Sequence, residues 1–549
     1  MTRQRSITRI LTSHFFRRFF DNDTLQVDGD TQTTIVRAVA AVAAPGMMIA
    51  FFLQNRYPGR TMWAAIGDRY FFVLFSFFVL GLVALFEWDM LFPDRLDFLV
   101  LTPLSLRPVQ MLSAKAAALA GFLILFLFGA NIFGVIMLPA VSLGNFHRQV
   151  FAQAVAVSMA GVFASLLVLA VGGVLICVLD AARLRMASPI AQTLCTMTLL
   201  LMVLHNAMYG GSLQAMLSLP LGAARYVPPL WFLGVYETLL LGHAAPPFAP
   251  EMTRYAVRGL ATVAALVVLT YPLAWSRRRR MAIEGAGRRR QASRWRARMV
   301  HAIIRRPQQR AVFHFIGQTI VRNNRYQVYL AMYAGAGLAL AAACAVRLHA
   351  ASGAVRFSLS ASGLHAMLPL LLFWTIAGLR TAFAFPLSLS AAWIFRIAGA
   401  DTAKCATAAR KWVLLFTSGI VGCVVLTLRA VGWSLTPLLV QAVCGVCLSL
   451  ALTDGFFSLR QSVPFTRPRM PGRINFPLML TLYFVIFPLF ILWIVHLEMQ
   501  MERHPLKLLI VCLVTAAIHA ALAALRRSSN EIEEDMEGYE GEFQLLGLS

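Results

Sequence analysis

FAQAVAVSMAGVFASLLVLAVGGVLICVL, residues 151–179, carries no charged side chain from end to end. Wound as a helix at 1.5 Å per residue, it outreaches the roughly 30 Å hydrocarbon core of a bilayer. Hydrocarbon offers no partner to an unpaired amide, so a block of this kind crosses a membrane as a helix or as part of a closed barrel. A barrel needs alternating stretches of about ten residues, which the sequence lacks. The whole chain repeats the pattern: 59% of its 549 residues are hydrophobic and 13% charged, against roughly 25% charged in a soluble domain. The expected fold class is an all-α polytopic membrane protein.

Working outward from 151–179, twelve spans are expected. Six lie near 34–54, 69–87, 115–139, 151–179, 189–208 and 256–275. Six more lie near 327–347, 363–385, 411–430, 436–457, 475–496 and 507–525. Placing the N-terminus inside leaves about 37 of the 49 Lys and Arg on the cytoplasmic side, so the positive-inside rule sets both termini there. Thirteen arginines between 277 and 310 mark a hinge between halves. Such a block would neutralise nucleic-acid phosphates, but a cytoplasmic loop beside anionic lipid meets that surface first, so lipid is the expected partner and nucleic acid is not.

The chain therefore divides into a lead-in (1–33), a first six-helix half (34–275), an Arg-rich linker with an interfacial helix (276–326), a second half (327–525) and an acidic tail (526–549). The lead-in alternates arginines with Ile and Phe at near-helical spacing, as an interfacial amphipathic helix does; an organellar presequence has a similar look. The tail, with seven acids in EIEEDMEGYEGEF, is expected to be disordered. HFFRRFFDNDTLQ before the first span echoes FHFIGQTIVRNNRYQ before the seventh. A Phe-Pro followed by a Lys brackets the loop after the second span (Phe92-Pro93 to Lys115) and after the eighth (Phe385-Pro386 to Lys411), so the halves read as pseudo-repeats. The eight cysteines sit mostly within apolar runs and outline no disulfide framework; Cys444-Gly-Val-Cys447 is one CxxC without a second pair.

One loop breaks the apolar pattern. FPDRLDFLVLTPLSLRPVQMLSAK (92–115) holds Asp94, Arg95, Asp97, Arg107 and Lys115. Phe-Pro stops the second span, the two acids face a helix N-terminus where carboxylates oppose the dipole, and Pro103 breaks the element before it feeds the third span. The stretch reads as an interfacial elbow able to dock a partner.

At Leu99, Thr102, Pro103, Leu104, Ser105 and Lys115 the chain resembles the membrane subunits of type-2 ABC exporters, in the large bacterial form with two six-span halves. The resemblance implies a coupling helix seated on a separate ABC ATPase subunit, with Asp94, Arg95, Asp97 and Arg107 in the contact, and a place in a bacterial inner membrane. RYVPPLWFLGVYETLLLG (225–242) is similar to the family's external re-entrant element, with Pro228, Pro229, Trp231 and Phe232 at its turn. The second elbow lacks the Thr-Pro-Leu-Ser core, and the loop HLEMQMERHP is too short to repeat the re-entrant piece.

No Walker A run occurs, so no ATP site is expected in this chain; ATP and Mg would sit on the partner. The expected function is a permease subunit rather than an enzyme. Two alternatives stay open. An ion-coupled carrier needs ionisable groups inside the bundle, and only His205, His365 and His519 fall at depth, each read as a lone structural histidine. A membrane enzyme needs convergent acids or ligands, for which Glu87, Asp89, Asp94, Asp97, Glu237, His243 and Glu251 give no metal-site spacing.

Overall fold

A computed structural model describes residues 2–20, 31–54, 56–57, 59–88, 90–92, 97, 101, 104, 106–142, 144–209, 213–217, 222–284, 304, 306–351, 354–384, 402–457, 464–465 and 485–540. Among the described residues the fold is all-α apart from one two-stranded hairpin. In chain order the helices are α1 (Thr2–Phe20), α2 (Thr31–Gln54), α3 (Met62–Phe86), α4 (Pro108–Val141), α5 (Phe146–Val178), α6 (Ala181–Tyr209), α7 (Leu213–Leu217), α8 (Pro228–Leu241) and α9 (Ala249–Glu284). They continue with α10 (Pro307–Arg322), α11 (Asn324–Ala345), α12 (Ala361–Ala384), α13 (Thr402–Ala430), α14 (Leu435–Phe457), α15 (Phe487–Arg503) and α16 (Pro505–Glu540). Strands β1 (Val346–Ala351) and β2 (Ala354–Leu359) join α11 to α12.

Among the described residues, eleven helices are long and apolar enough to cross a membrane: α2 to α6, α9, α11 to α14 and α16. Many span boundaries lie further out than the sequence implied, because polar residues at helix ends stay helical where they reach water. The expected span at 475–496 is the exception. The described helix there, α15, starts at Phe487 with Pro488 in its first turn and runs 17 residues to Arg503. Proline fits a first turn, where its missing N–H has no helical partner to lose; residues 475–484 lie outside the described set. The acidic tail also differs from expectation, since α16 continues without a break to Glu540. Extending an existing helix avoids the cost of nucleation, and Glu propagates it well.

The chain forms two compact units, residues 1–289 with 347–358, and residues 290–346 with 359–549. In the first, α3 and α5 make the interior. Lipid gives helices no hydrophobic reason to associate, so close approach and polar bonds must do it. Ala152, Ala156, Ala160 and Ala164 form a buried i+4 ridge on α5, and a Cβ at Gly161 would come within 2.9 Å of Ser76 Oγ. Ser76 Oγ donates to the Val157 carbonyl at 2.7 Å and accepts from Asn131 Nδ2 at 2.9 Å, tying α3, α4 and α5 together. The helix α1 lays Leu11, Phe15 and Phe19 along α4, where Phe19 stacks on Phe122 at 4.8 Å between centroids. The apolar stripe of the lead-in thus meets protein.

In the second unit α11 and α12 pack most closely. Gly337 lies against Trp374, Gly378 against Tyr333, and the Tyr333 and Thr381 hydroxyls are 3.1 Å apart. The lead-in α10 packs Val312 and Ile316 against Cys405, Ala408 and Ala409 of α13, and Lys411 Nζ donates to Gln309 Oε1 at 3.2 Å. In both units, then, the helix before the first span lies on the third span. The remaining packing differs: α2 pairs mainly with α4, whereas α11 pairs with α12.

Glycine spacing makes this packing testable. A Cβ at Gly363 would run into the Cys344 carbonyl, whereas one at Gly422 meets open space. Gly363→Ala is expected to cost about 1–3 kcal/mol, read as a lower melting temperature in detergent. Gly422→Ala is expected to leave it unchanged or raise it.

Candidate functional site

The elbow after α3 is held at Asp97. Its carboxylate, 3% exposed, accepts from Lys115 Nζ at 2.8 Å and from Arg18 Nη1 of α1. Lys115 is itself 2% exposed, with its ammonium 5.2 Å from the Phe15 ring centroid. Three elements meet there: the lead-in α1, the elbow and the first turns of α4. A buried carboxylate between two cations is tolerable because each charge has a partner, and removing one partner strands the others.

Around this clamp the backbone turns tightly. Leu104 N–H donates to the Leu101 carbonyl at 3.2 Å, and Leu106 N–H to the Leu104 carbonyl at 2.7 Å. Leu101 points inward, while Leu104, Arg107 and Val109 are exposed. The preceding turn is fixed from the other side, where Tyr271 Oη donates to the Leu91 carbonyl at 3.1 Å and its ring lies 5.3 Å from that of Phe92.

Of the residues expected to face a partner, Asp97 and Lys115 are internal, where their charges satisfy each other. Leu104 and Arg107 remain at the surface. Asp94, Arg95, Thr102, Pro103 and Ser105 lie outside the described residues. Arg18 was missed, because an amphipathic spacing tells which face of α1 is apolar and not which neighbour an arginine reaches.

A second polar group surrounds α8. This helix has 14 residues, about 21 Å, too short to cross, and it folds back on α9 through Gly242, whose φ of +59° favours glycine. Pro229 and Phe232 are buried, Pro228 and Trp231 half-buried. Trp231 Nε1 donates to the Arg225 carbonyl at 2.9 Å, and its ring packs on Phe163 and Gly259. Gly234 admits the α9 backbone, with a Cβ there only 2.9 Å from the Ala249 carbonyl oxygen. Glu237, 1% exposed, accepts from Arg69 of α3 at 2.9 and 3.2 Å. Next to Arg69, Asp68 accepts from Arg60 at 2.6 and 2.8 Å and from Tyr57 at 3.1 Å. Burial, and then the Asp68 carboxylate, raise the Tyr57 pKa above its ordinary value.

The histidines of the second unit are not lone. His365 Nδ1 is 3.3 Å from Glu498 and its Nε2 3.6 Å from Glu502. His519 Nδ1 is 2.5 Å from Asp454, which also accepts from Arg526 at 2.7 Å. Sequence pattern gave each histidine no partner because the acids lie 65 to 137 residues away. Among the described residues no group of three or more His, Cys, Asp or Glu is placed to hold a metal ion, and all eight cysteines are free thiols.

Two measurements test these contacts. Lys115→Met is expected to destabilise by about 3–5 kcal/mol, since it leaves Asp97 short of a buried partner; thermal unfolding in detergent reads it. Tyr57→Phe lowers stability at pH 7 by removing the bond to Asp68. Because folding raises the Tyr57 pKa, its contribution is complete below the unfolded value near 10 and fades as pH rises above it. The gap between wild type and Tyr57→Phe should therefore close above about pH 10.

No family model, curated protein or solved structure matches the chain, so the reading of these sites rests on their own geometry.

Proposed function

We propose that this many-span helical membrane protein is the permease subunit of an ATP-driven ABC-type exporter, working with a separate ATPase chain that binds ATP and Mg. The observation that supports this reading is the Asp97 clamp. A partner pressing on an exposed loop flexes that loop unless the loop is fastened to the helices that must move. Asp97 fastens the elbow to α1 through Arg18 and to α4 through Lys115, so force on Leu104, Arg107 and Val109 passes to both helices. An apolar tip with one cation fits a shallow groove bearing a carboxylate.

In this reading the elbow faces the cytoplasm of a bacterial inner membrane, the Arg-rich segment 277–310 lies against anionic lipid, and α8 closes the opposite end of the first unit. Closure of the ATPase pair moves α1 and α4 as one body, and cargo passes along faces that this motion opens.

The test is purification of the full chain in mild detergent with identification of what accompanies it. A nucleotide-binding subunit is expected, and the pair Leu104→Asp with Arg107→Glu is expected to remove it and its stimulated ATP hydrolysis while leaving the melting temperature in place. Recovery of the chain without any ATPase, or retention of the ATPase by the double variant, overturns the proposal.

A further inference from the structure

The second unit buries polar side chains that its own protein groups do not satisfy. On α14, Gln441, Ser449 and Thr453 lie along one i+4 ridge with Gly445 between them, and they are 0%, 2% and 1% exposed. Gln441 Oε1, Ser449 Oγ and Thr453 Oγ1 have no hydrogen-bond partner in the protein. Buried oxygens of this kind are nearly always paired, with water where protein is lacking. Three such atoms lie on one line about 18 Å long along a helix that is long and apolar enough to cross the membrane.

Both ends of that line carry acids and a histidine. At one end, Gln441 Nε2 reaches the His365 carbonyl at 3.5 Å. The imidazole of His365 lies between Glu498 and Glu502 of α15, against the Trp433 ring at 4.7 Å. Arg429, at the end of α13, donates to the Trp433 carbonyl at 3.0 Å. Cys444 lies beside Glu498 and 3.9 Å from the Met501 sulfur. At the other end, Thr453 adjoins Asp454, which meets His519 and Arg526 of α16, with Arg410 of α13 alongside. Arg410 Nε is buried without a partner.

The donors at the first end do not converge. The two imidazole nitrogens point to different carboxylates, so no single point is shared for a metal ion. A proton needs no such point. It needs a group that holds it against neighbours that want it, and an imidazole between two acids one helical turn apart is such a group.

We propose that the second unit carries a proton path, entered at His365, Glu498 and Glu502, lined by Gln441, Ser449 and Thr453, and ending at Asp454 and His519. The Ser449 and Thr453 hydroxyls stand about 6 Å apart along the helix, so each transfer runs through intervening water. A hydroxyl accepts a proton on its lone pair as its own proton leaves to the next water. One proton bound at the first end is matched by one released at the other, and no redox partner is consumed. Midway, Gly445 lets Leu368 and Val421 close on the helix, so the path passes a narrow apolar neck between Gln441 and Ser449.

This inference does not rest on ATPase docking. The full chain is purified alone and reconstituted without nucleotide into vesicles of phosphatidylethanolamine and phosphatidylglycerol containing a pH-sensitive dye. A potassium diffusion potential set with valinomycin then drives protons inward. The expected result is acidification several-fold faster than in protein-free vesicles, abolished by Glu498→Gln and by Ser449→Ala and retained in Ser449→Thr, each variant eluting as a single species and melting near wild type. Ser449→Ala removes one hydroxyl and no charge, so it remains readable if Glu498→Gln fails to fold. Wild-type acidification equal to that of protein-free vesicles overturns the proposal, and so does unaltered flux in Ser449→Ala.

Discussion

Hydrocarbon takes no hydrogen bonds, and the rest of this structure follows from that. Backbone amides answer it by forming helices, but side chains must find partners one by one. Ser76 and Asn131 do so by bridging three helices, Glu237 by meeting Arg69, and Asp97 by meeting Lys115 and Arg18. Each bond satisfies a polar atom and at the same time sets which helix lies beside which. Packing alone would leave the register of smooth apolar helices loosely defined, since lipid solvates Leu as well as another helix does. The polar pairs act as pins, and they cluster where the chain leaves regular structure: at the elbow, around α8, and at the two ends of α14.

Both units meet this constraint only in part. In the first, Asp68, Asp97 and Glu237 face cations at hydrogen-bond distance, while the Gln153 amide and Gln192 Oε1 are buried without a protein partner. The second buries oxygens of α14 in the same way and sets acid–histidine clusters at both ends of that helix. The shared placement of a lead-in helix on the third span fits the repeat read from sequence, while the α11–α12 pairing and the absence of an α8 counterpart between α15 and α16 show how far the halves have diverged.

The helices were legible because a span is a local property: 151–179 declared itself by carrying no charge, and the helix is Phe146–Val178. Pro228-Pro229, expected at a broken turn, instead open the regular 14-residue helix α8, where proline fits the first turn. Contacts between distant residues were not legible. Helical periodicity orients a side chain without naming its neighbour, so Arg18 to Asp97 and His365 to Glu498 had no signature. The hairpin β1–β2 did leave a signal that went unread, the alternating VRLHAA and AVRFSL on either side of Ser-Gly. The start of α15 was likewise written in Phe487-Pro488, where proline marks a first turn.

A single residue, His504, joins α15 to α16, and its amide is tied back to the Gln500 carbonyl at 3.1 Å while Lys507 reaches the Gln500 side chain at 2.7 Å. With no slack in that corner, the two helices cannot tilt independently. One arm bears the acids beside His365; the other bears His519 and Arg526 beside Asp454. Swinging either arm must displace its fellow, so the acid–histidine cluster at His365 and the one at Asp454 are geared to each other by covalent chain.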